Sequence, residues 1–169
     1  MHRLSKPGPG AQLLGGLLLG LAIAGPLHAA DAAVGSLSYK GRSTAFKYAW
    51  LVTGPSDFEP GKTIRRVVLS PTDLSAKLRA CTTFSCTDGS VMEGMTVDFT
   101  GGRRLNYWVV LNGQLIQYSG TAEPDAFAPR PADAGHLAGR LAIDDTRAGG
   151  PKLDADFDVT PLKDFKLAR

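Results

Sequence analysis

The chain has 169 residues, of which 43% are hydrophobic and 21% charged, with a formal charge of +3. Of the three histidines, His2 and His28 lie within the first 30 residues, which leaves His136 and two cysteines, too few for a zinc centre of the usual four ligands. The small charge excess also argues against strong long-range attraction to nucleic acid.

The chain opens with Arg3 and Lys6 and carries no acidic residue before Asp31. An apolar run from Ala11 to Ala24 follows, then Gly25-Pro26 and the small residues Ala29, Ala30, Ala32 and Ala33. Basic, apolar and small segments in that order predict a cleaved secretory signal over residues 1–30. The apolar run falls short of the roughly 20 residues that a spanning helix needs, so no stable membrane insertion is expected after cleavage. Without a cysteine at the junction or a twin-arginine pair, the expected product is a periplasmic or secreted protein. Taking off 30 of the 169 residues leaves a single β domain over 31–169, with 17 of the 19 basic residues against 16 acidic ones. Its one remaining histidine is His136, in a strand-like run with no nucleophile signature nearby. It is read as an ordinary strand-edge residue.

Leu37 and Tyr39 alternate with polar residues and predict a first strand, ended by a turn at Lys40-Gly41-Arg42. Phe46, Tyr48, Trp50 and Val52 are expected on one face of a second strand. After a loop with Gly54-Pro55 and Pro60-Gly61, Ile64, Val67, Val68 and Leu69 form a third. Arg65-Arg66 within it, like Arg103-Arg104, is read as a solvated pair. Ser70-Pro71-Thr72-Asp73 resembles a helix start, with serine as cap and proline at the first helical position. Leu74 and Leu78 would share one face of that short helix, which ends near Cys81.

Cys81 and Cys86 both lie in the exported part, where disulfides persist. Their four-residue spacing is not that of a redox C-x-x-C pair. A structural disulfide is the favoured reading, beside two free thiols or, least favoured, redox or metal chemistry. Asp88-Gly89 predicts a turn. A fourth strand is expected through Val91, Met95, Val97 and Phe99, with Gly94 as a bulge, a fifth over 105–111 and a sixth over 115–118. Asn112-Gly113 between the last two predicts a two-residue type I′ hairpin that sets Tyr107 opposite Tyr118. Residues 123–134, with Pro124, Pro129 and Pro131, read as a long loop. Leu137 to Ile143 and Leu153 to Val159 complete the strands, and Pro161 ends the last.

The whole is mostly β: an antiparallel β-sandwich or small barrel of about eight strands with one short helix. The runs Gly35-Ser36-Leu37-Ser38-Tyr39-Lys40-Gly41, Phe46-Lys47-Tyr48-Ala49-Trp50, Val68-Leu69-Ser70-Pro71, Gly139-Arg140-Leu141 and Leu153-Asp154-Ala155-Asp156-Phe157 resemble a loose class of small exported bacterial β-sandwich proteins of unknown function. The resemblance implies fold and export, and brings no catalytic residues.

Asp154, Asp156 and Asp158 alternate along the last strand, but Val159 and Phe165 stand where a calcium loop needs glycine and glutamate. They are read as its water-facing side. No pair of acids is spaced for glycoside hydrolysis. No catalytic residue, metal site or cofactor is therefore assigned, and the protein is expected not to be an enzyme. The leading expectation is a protein that binds a protein or envelope component, including an inhibitor or immunity type that uses loops 54–62 or 123–134. The alternative is a small-ligand or carbohydrate-binding barrel lined by Trp50, Tyr107, Trp108 and Tyr118, with Trp108 the best placed for partial exposure.

Overall fold

Lys40 and Gly41 have positive φ angles of 47° and 70°, as both residues of a type I′ hairpin must. They join β1 (Asp31–Tyr39) to β2 (Arg42–Pro55), with Tyr39 opposite Arg42. The structure is a computed structural model that describes residues 31–56, 59–101 and 104–166. The expected signal over 1–30 and Arg103 lie outside the described residues.

From β2 the chain meanders through β3 (Thr63–Ser70), β4 (Gly94–Phe99), β5 (Leu105–Leu111) and β6 (Ile116–Ala122). It returns on the other flank as β7 (Phe127–Pro129), β8 (Leu137–Asp144) and β9 (Lys152–Val159), and β9 pairs with β1. The order is therefore β6-β5-β4-β3-β2-β1-β9-β8-β7. β10 (Pro161–Asp164) runs parallel to β2 at Leu51–Thr53, beyond Ala49 where β1 stops. The sheet curls into a half-barrel, and Phe127 of β7 reaches Phe99 of β4 with ring centroids 4.9 Å apart.

The expected mostly-β, barrel-like class holds, with two strands and one helix more than the pattern indicated. β7 lies inside the proline-rich stretch read as loop, and β10 starts at the proline read as a stop. Both placements suit proline. Pro129 sits on an edge strand and Pro161 is a first strand residue, where a missing N–H breaks little of the ladder. The first helix, α1 (Ser75–Ala80), starts later than expected. Ser70 Oγ instead accepts the Thr72 N–H at 3.2 Å, and the Asp73 carboxylate accepts the Ser75 N–H at 2.8 Å. These bonds make a turn of the would-be first helical residues, and the second holds the Asp73 carboxyl below its usual range. A second helix, α2 (Cys86–Ser90), replaces the turn expected at Asp88-Gly89.

Phe46 is not on the face of Tyr48, Trp50 and Val52. Three steps along β1, from Ala32 to Gly35, match two along β2, from Tyr48 to Phe46. The alternation of β2 breaks at this bulge, so Phe46 joins Ala49 and Leu51 inside while Tyr48, Trp50 and Val52 face out. The β5–β6 loop has four residues, because Asn112, Gly113 and Gln114 all take positive φ. Pairing slides by two, setting Val109 opposite Tyr118 and Tyr107 opposite Gly120. An even slide keeps each side chain on its expected face.

The sheet buries apolar groups on both sides. The inner cluster draws on β1–β5, β8 and β9 and includes Leu37, Leu51, Val67, Val97, Tyr107, Leu141 and Phe157. Each fully buried side chain of this kind contributes roughly 1.5–3 kcal/mol. On the outer side α1 covers Trp50 and Val68 with Leu74 and Leu78. Next to it Phe84, Cys81 and Phe165 cover Val52 and Ile64.

Candidate functional site

The outer cover ends at α2. Beyond it the outer surfaces of β3, β4, β5 and β6 floor a groove of about 590 Å³. Cys81 and Cys86 are joined by a disulfide, the favoured reading of the pair, with Cα atoms 5.5 Å apart. The bridge ties α2 to the end of α1. Phe84, between the two cysteines, is buried against β2, where a β-carbon on Gly54 would come within 2.4 Å of its ring. Glycine at 54 is what lets the ring lie flat on the strand.

Arg66 forms the groove's floor. Alternation on β3 sends Val67 and Leu69 inward and Ile64, Arg66 and Val68 outward, beneath the cover. Arg66 is only 5% exposed. Its Nε and Nη2 donate to the two carboxylate oxygens of Asp98 on β4, at 2.6 and 2.9 Å. Nη1 donates to Thr87 Oγ1 at 3.0 Å and to Asp88 Oδ1 at 2.6 Å, both on α2. The guanidinium also lies 4.3 Å from the Phe84 ring centre and 5.5 Å from that of Trp108. Burial alone would lower the pKa of Arg66, but the bonds and charges of Asp98 and Asp88 outweigh it and raise it above its usual value. The group stays charged.

Around it stand half-buried Trp108 and Val110 from β5, exposed Gln117 and Ser119 from β6, and Thr96 from β4. Thr96 is 3% exposed and its hydroxyl has no hydrogen-bond partner. Gln114 closes one end by donating to the Val91 carbonyl at 2.8 Å.

The four aromatic candidates divide among three environments. Trp50 is buried beneath α1 and stacks on Tyr48 at 5.9 Å. Tyr107 is fully buried inside, and its hydroxyl donates to Asp145; burial and that bond raise its pKa. Tyr118 packs on the inner cluster, 6.0 Å from Tyr107 and 5.2 Å from Tyr39. Of the four, Trp108 and Tyr118 are among the residues that line the outer groove, while Trp50 and Tyr107 lie elsewhere. Arg66, read as solvated, is buried. The signal for this was its place between the outward, apolar Ile64 and Val68. Arg65 reaches the His136 carbonyl at 2.8 Å, and Arg104 is exposed beside Glu123.

The alternating acids of β9 have side-chain partners: Asp154 pairs with Arg140, Asp156 with Arg130, and Asp158 lies 3.2 Å from His136 Nδ1. Among the described residues no group of three His, Cys, Asp or Glu side chains is arranged to hold a metal ion. No described helix is long and apolar enough to cross a membrane.

No protein-family model, curated protein or solved structure matches this chain.

Proposed function

We propose that this is an exported, non-enzymatic binding protein whose groove takes a carbohydrate, such as a sugar unit of the cell envelope. The observation that carries this reading is half-buried Trp108 beside exposed Gln117 and Ser119 on the same outer face. An indole supplies an apolar plane for a sugar ring, while exposed Gln117 and Ser119 supply donors and acceptors for its hydroxyls. The groove's Arg66, Asp98 and Asp88 are paired with one another, and among the described residues its lining contains no histidine. That favours holding a ligand over transforming it. The basic and apolar leader and the disulfide support export.

Calorimetric titration of the mature protein with a panel of neutral and charged oligosaccharides tests the reading. Saturable binding that Trp108→Ala abolishes is expected. Binding that survives this substitution, or none across the panel, would sink it. N-terminal sequencing of the exported protein should find a new terminus near residue 30.

A protein partner is the second reading. Leu115 is 82% and Met92 45% exposed, on the two loops that the Gln114–Val91 bond ties together at the groove's end. Pull-down with Leu115→Ser as the comparison separates the two: only a protein contact would be weakened.

A further inference from the structure

We propose that two copies of this chain pair edge to edge through β6, antiparallel about Ser119, and so join two half-barrels into one continuous sheet. β6 ends the strand order, and among the described residues it pairs only with β5. A strand paired on one side leaves a row of N–H and C=O groups ready to bond another strand, and sheets blunt such edges with charge, proline, a bulge or short length. The other open strands of this sheet are blunted in those ways. β7 has three residues and ends at Pro129, with Arg130 next. β10 has four, opens at Pro161 and carries Lys163 and Asp164. β6 has seven residues in unbroken register with β5, and none of them is charged or a proline. Each is at least partly exposed.

A second copy is the occupant that the strand itself fits. About a two-fold axis at Ser119, every residue of β6 finds a counterpart in the second copy. Ser119 meets Ser119 and Gln117 meets Thr121 on the outer face, so polar groups meet polar groups. On the inner face Tyr118 meets Gly120 and Ile116 meets Ala122, so each large side chain meets a small one. Directly opposite pairs of this kind are the unit of sheet stabilisation. An uncharged strand paired with itself brings no like charges together, whereas a foreign strand finds no charge on β6 to set its register. The two-fold pair is also closed, because it uses up both β6 edges and stops at two copies.

Trp108 lies on β5 directly opposite Ser119. The pairing therefore sets Trp108, Ser119 and their counterparts in one row across four strands. Three strand spacings of about 4.8 Å place the two Trp108 backbones about 14 Å apart on one outer surface. Two grooves would then lie side by side and take a chain of several sugar units; this last step alone rests on the carbohydrate reading.

Sedimentation equilibrium of the mature, oxidised protein tests the pairing. From about 5 to 500 μM the mass is expected to rise reversibly from one chain toward two, because a contact of one strand on each side belongs to the small, weak class. Ser119→Lys sets two like charges opposite each other on the axis and should hold the protein monomeric across that range, with an unchanged melting temperature as the check on its fold. Ser119→Cys tests the register. Cys81 and Cys86 are already joined, so the new thiol is the free one. Directly opposite residues on antiparallel strands have Cα atoms about 4.5–5.5 Å apart, within reach of a disulfide. Mild oxidation should convert this variant to a covalent dimer. Thr121→Cys should not cross-link, since its thiols stand about 14 Å apart in the same pairing. A single-chain mass at every concentration would overturn the proposal and leave the edge to a strand from another protein. A dimer that Ser119→Lys leaves intact, or equal cross-linking at 119 and 121, would overturn it as well. Should Ser119→Lys fail to fold, the parent masses and the two cysteine variants decide. None of these outcomes touches sugar binding, which the calorimetric titration tests separately.

Discussion

Arg66 and Asp98 meet side-on across β3 and β4. Nε and Nη2 of one face Oδ1 and Oδ2 of the other at 2.6 and 2.9 Å, with both side chains buried. Parallel two-bond pairing of this kind fixes geometry as well as charge. Here it also fixes the groove, because the third nitrogen of the same guanidinium holds Thr87 and Asp88 of α2. The sheet and its cover thus share one cation.

Removing that cation takes from buried Asp98 its two-bond partner. Breaking a buried pair from one side costs about 3–5 kcal/mol, whereas replacing both partners with apolar groups of similar size is often neutral. Arg66→Ala should therefore lose about that much in urea unfolding, and Arg66→Met with Asp98→Leu should recover most of it. If the double variant is as unstable as the single one, the cost lies in the lost α2 contacts instead.

Gly54 and Phe84 set the groove's other wall. A methyl at 54 would sit 2.4 Å from the ring, so Gly54→Ala must push Phe84 off β2. Overpacking of this kind costs about 1–3 kcal/mol. Because Phe84 also stacks on Arg66, the variant is expected to weaken ligand binding as well as lower the melting temperature. An unchanged melting temperature would show that the ring has free room, contrary to the geometry.

Much of the fold was legible because alternation is a local signal. Leu153, Ala155, Phe157 and Val159 read correctly as the inner face of β9, and Val109, Trp108 and Val110 kept their faces despite the two-residue slide. β7 and β10 were not legible. Three or four residues beside prolines carry no period of their own, and it is pairing with distant strands that makes them strands. The site was legible only at Trp108 and the disulfide. Arg66 needed knowledge of which outward faces are covered, and that depends on where α1 and α2 settle. Pairing across 32 residues between Arg66 and Asp98 leaves no trace in spacing.

Asp144 offers a pH test remote from the groove. Its carboxyl accepts the Thr146 hydroxyl at 2.6 Å and lies 3.1 Å from Lys152, which together lower its pKa from 3.8 to about 2. A depressed native pKa means the group contributes stability above about 3.8 that is lost as pH falls toward 2. Asp144→Asn should therefore flatten part of the acid limb of the stability profile between those values and leave its shape unchanged above pH 5. An acid limb as steep as that of the parent would place the proton uptake on other carboxylates.

The disulfide matters more for the groove than for the sheet. α2 has five residues, too few for a helix to persist unaided. Its place depends on the bond from Cys86 to Cys81, on the two contacts to Arg66, and on the packing of Phe84. Closing so short a loop stabilises by only about 2 kcal/mol in the chain-entropy account, while the inner cluster lies wholly on the other side of the sheet. Cys86 is exposed, giving a small thiol access to the bridge. Reduction, or Cys81→Ser with Cys86→Ser, is thus expected to lower stability by about 2 kcal/mol and leave the far-ultraviolet spectrum of the sheet intact. Acrylamide should then quench Trp108 more readily, while Trp50, covered by α1, stays shielded. Equal quenching before and after reduction would show that Arg66 alone holds α2 over the groove.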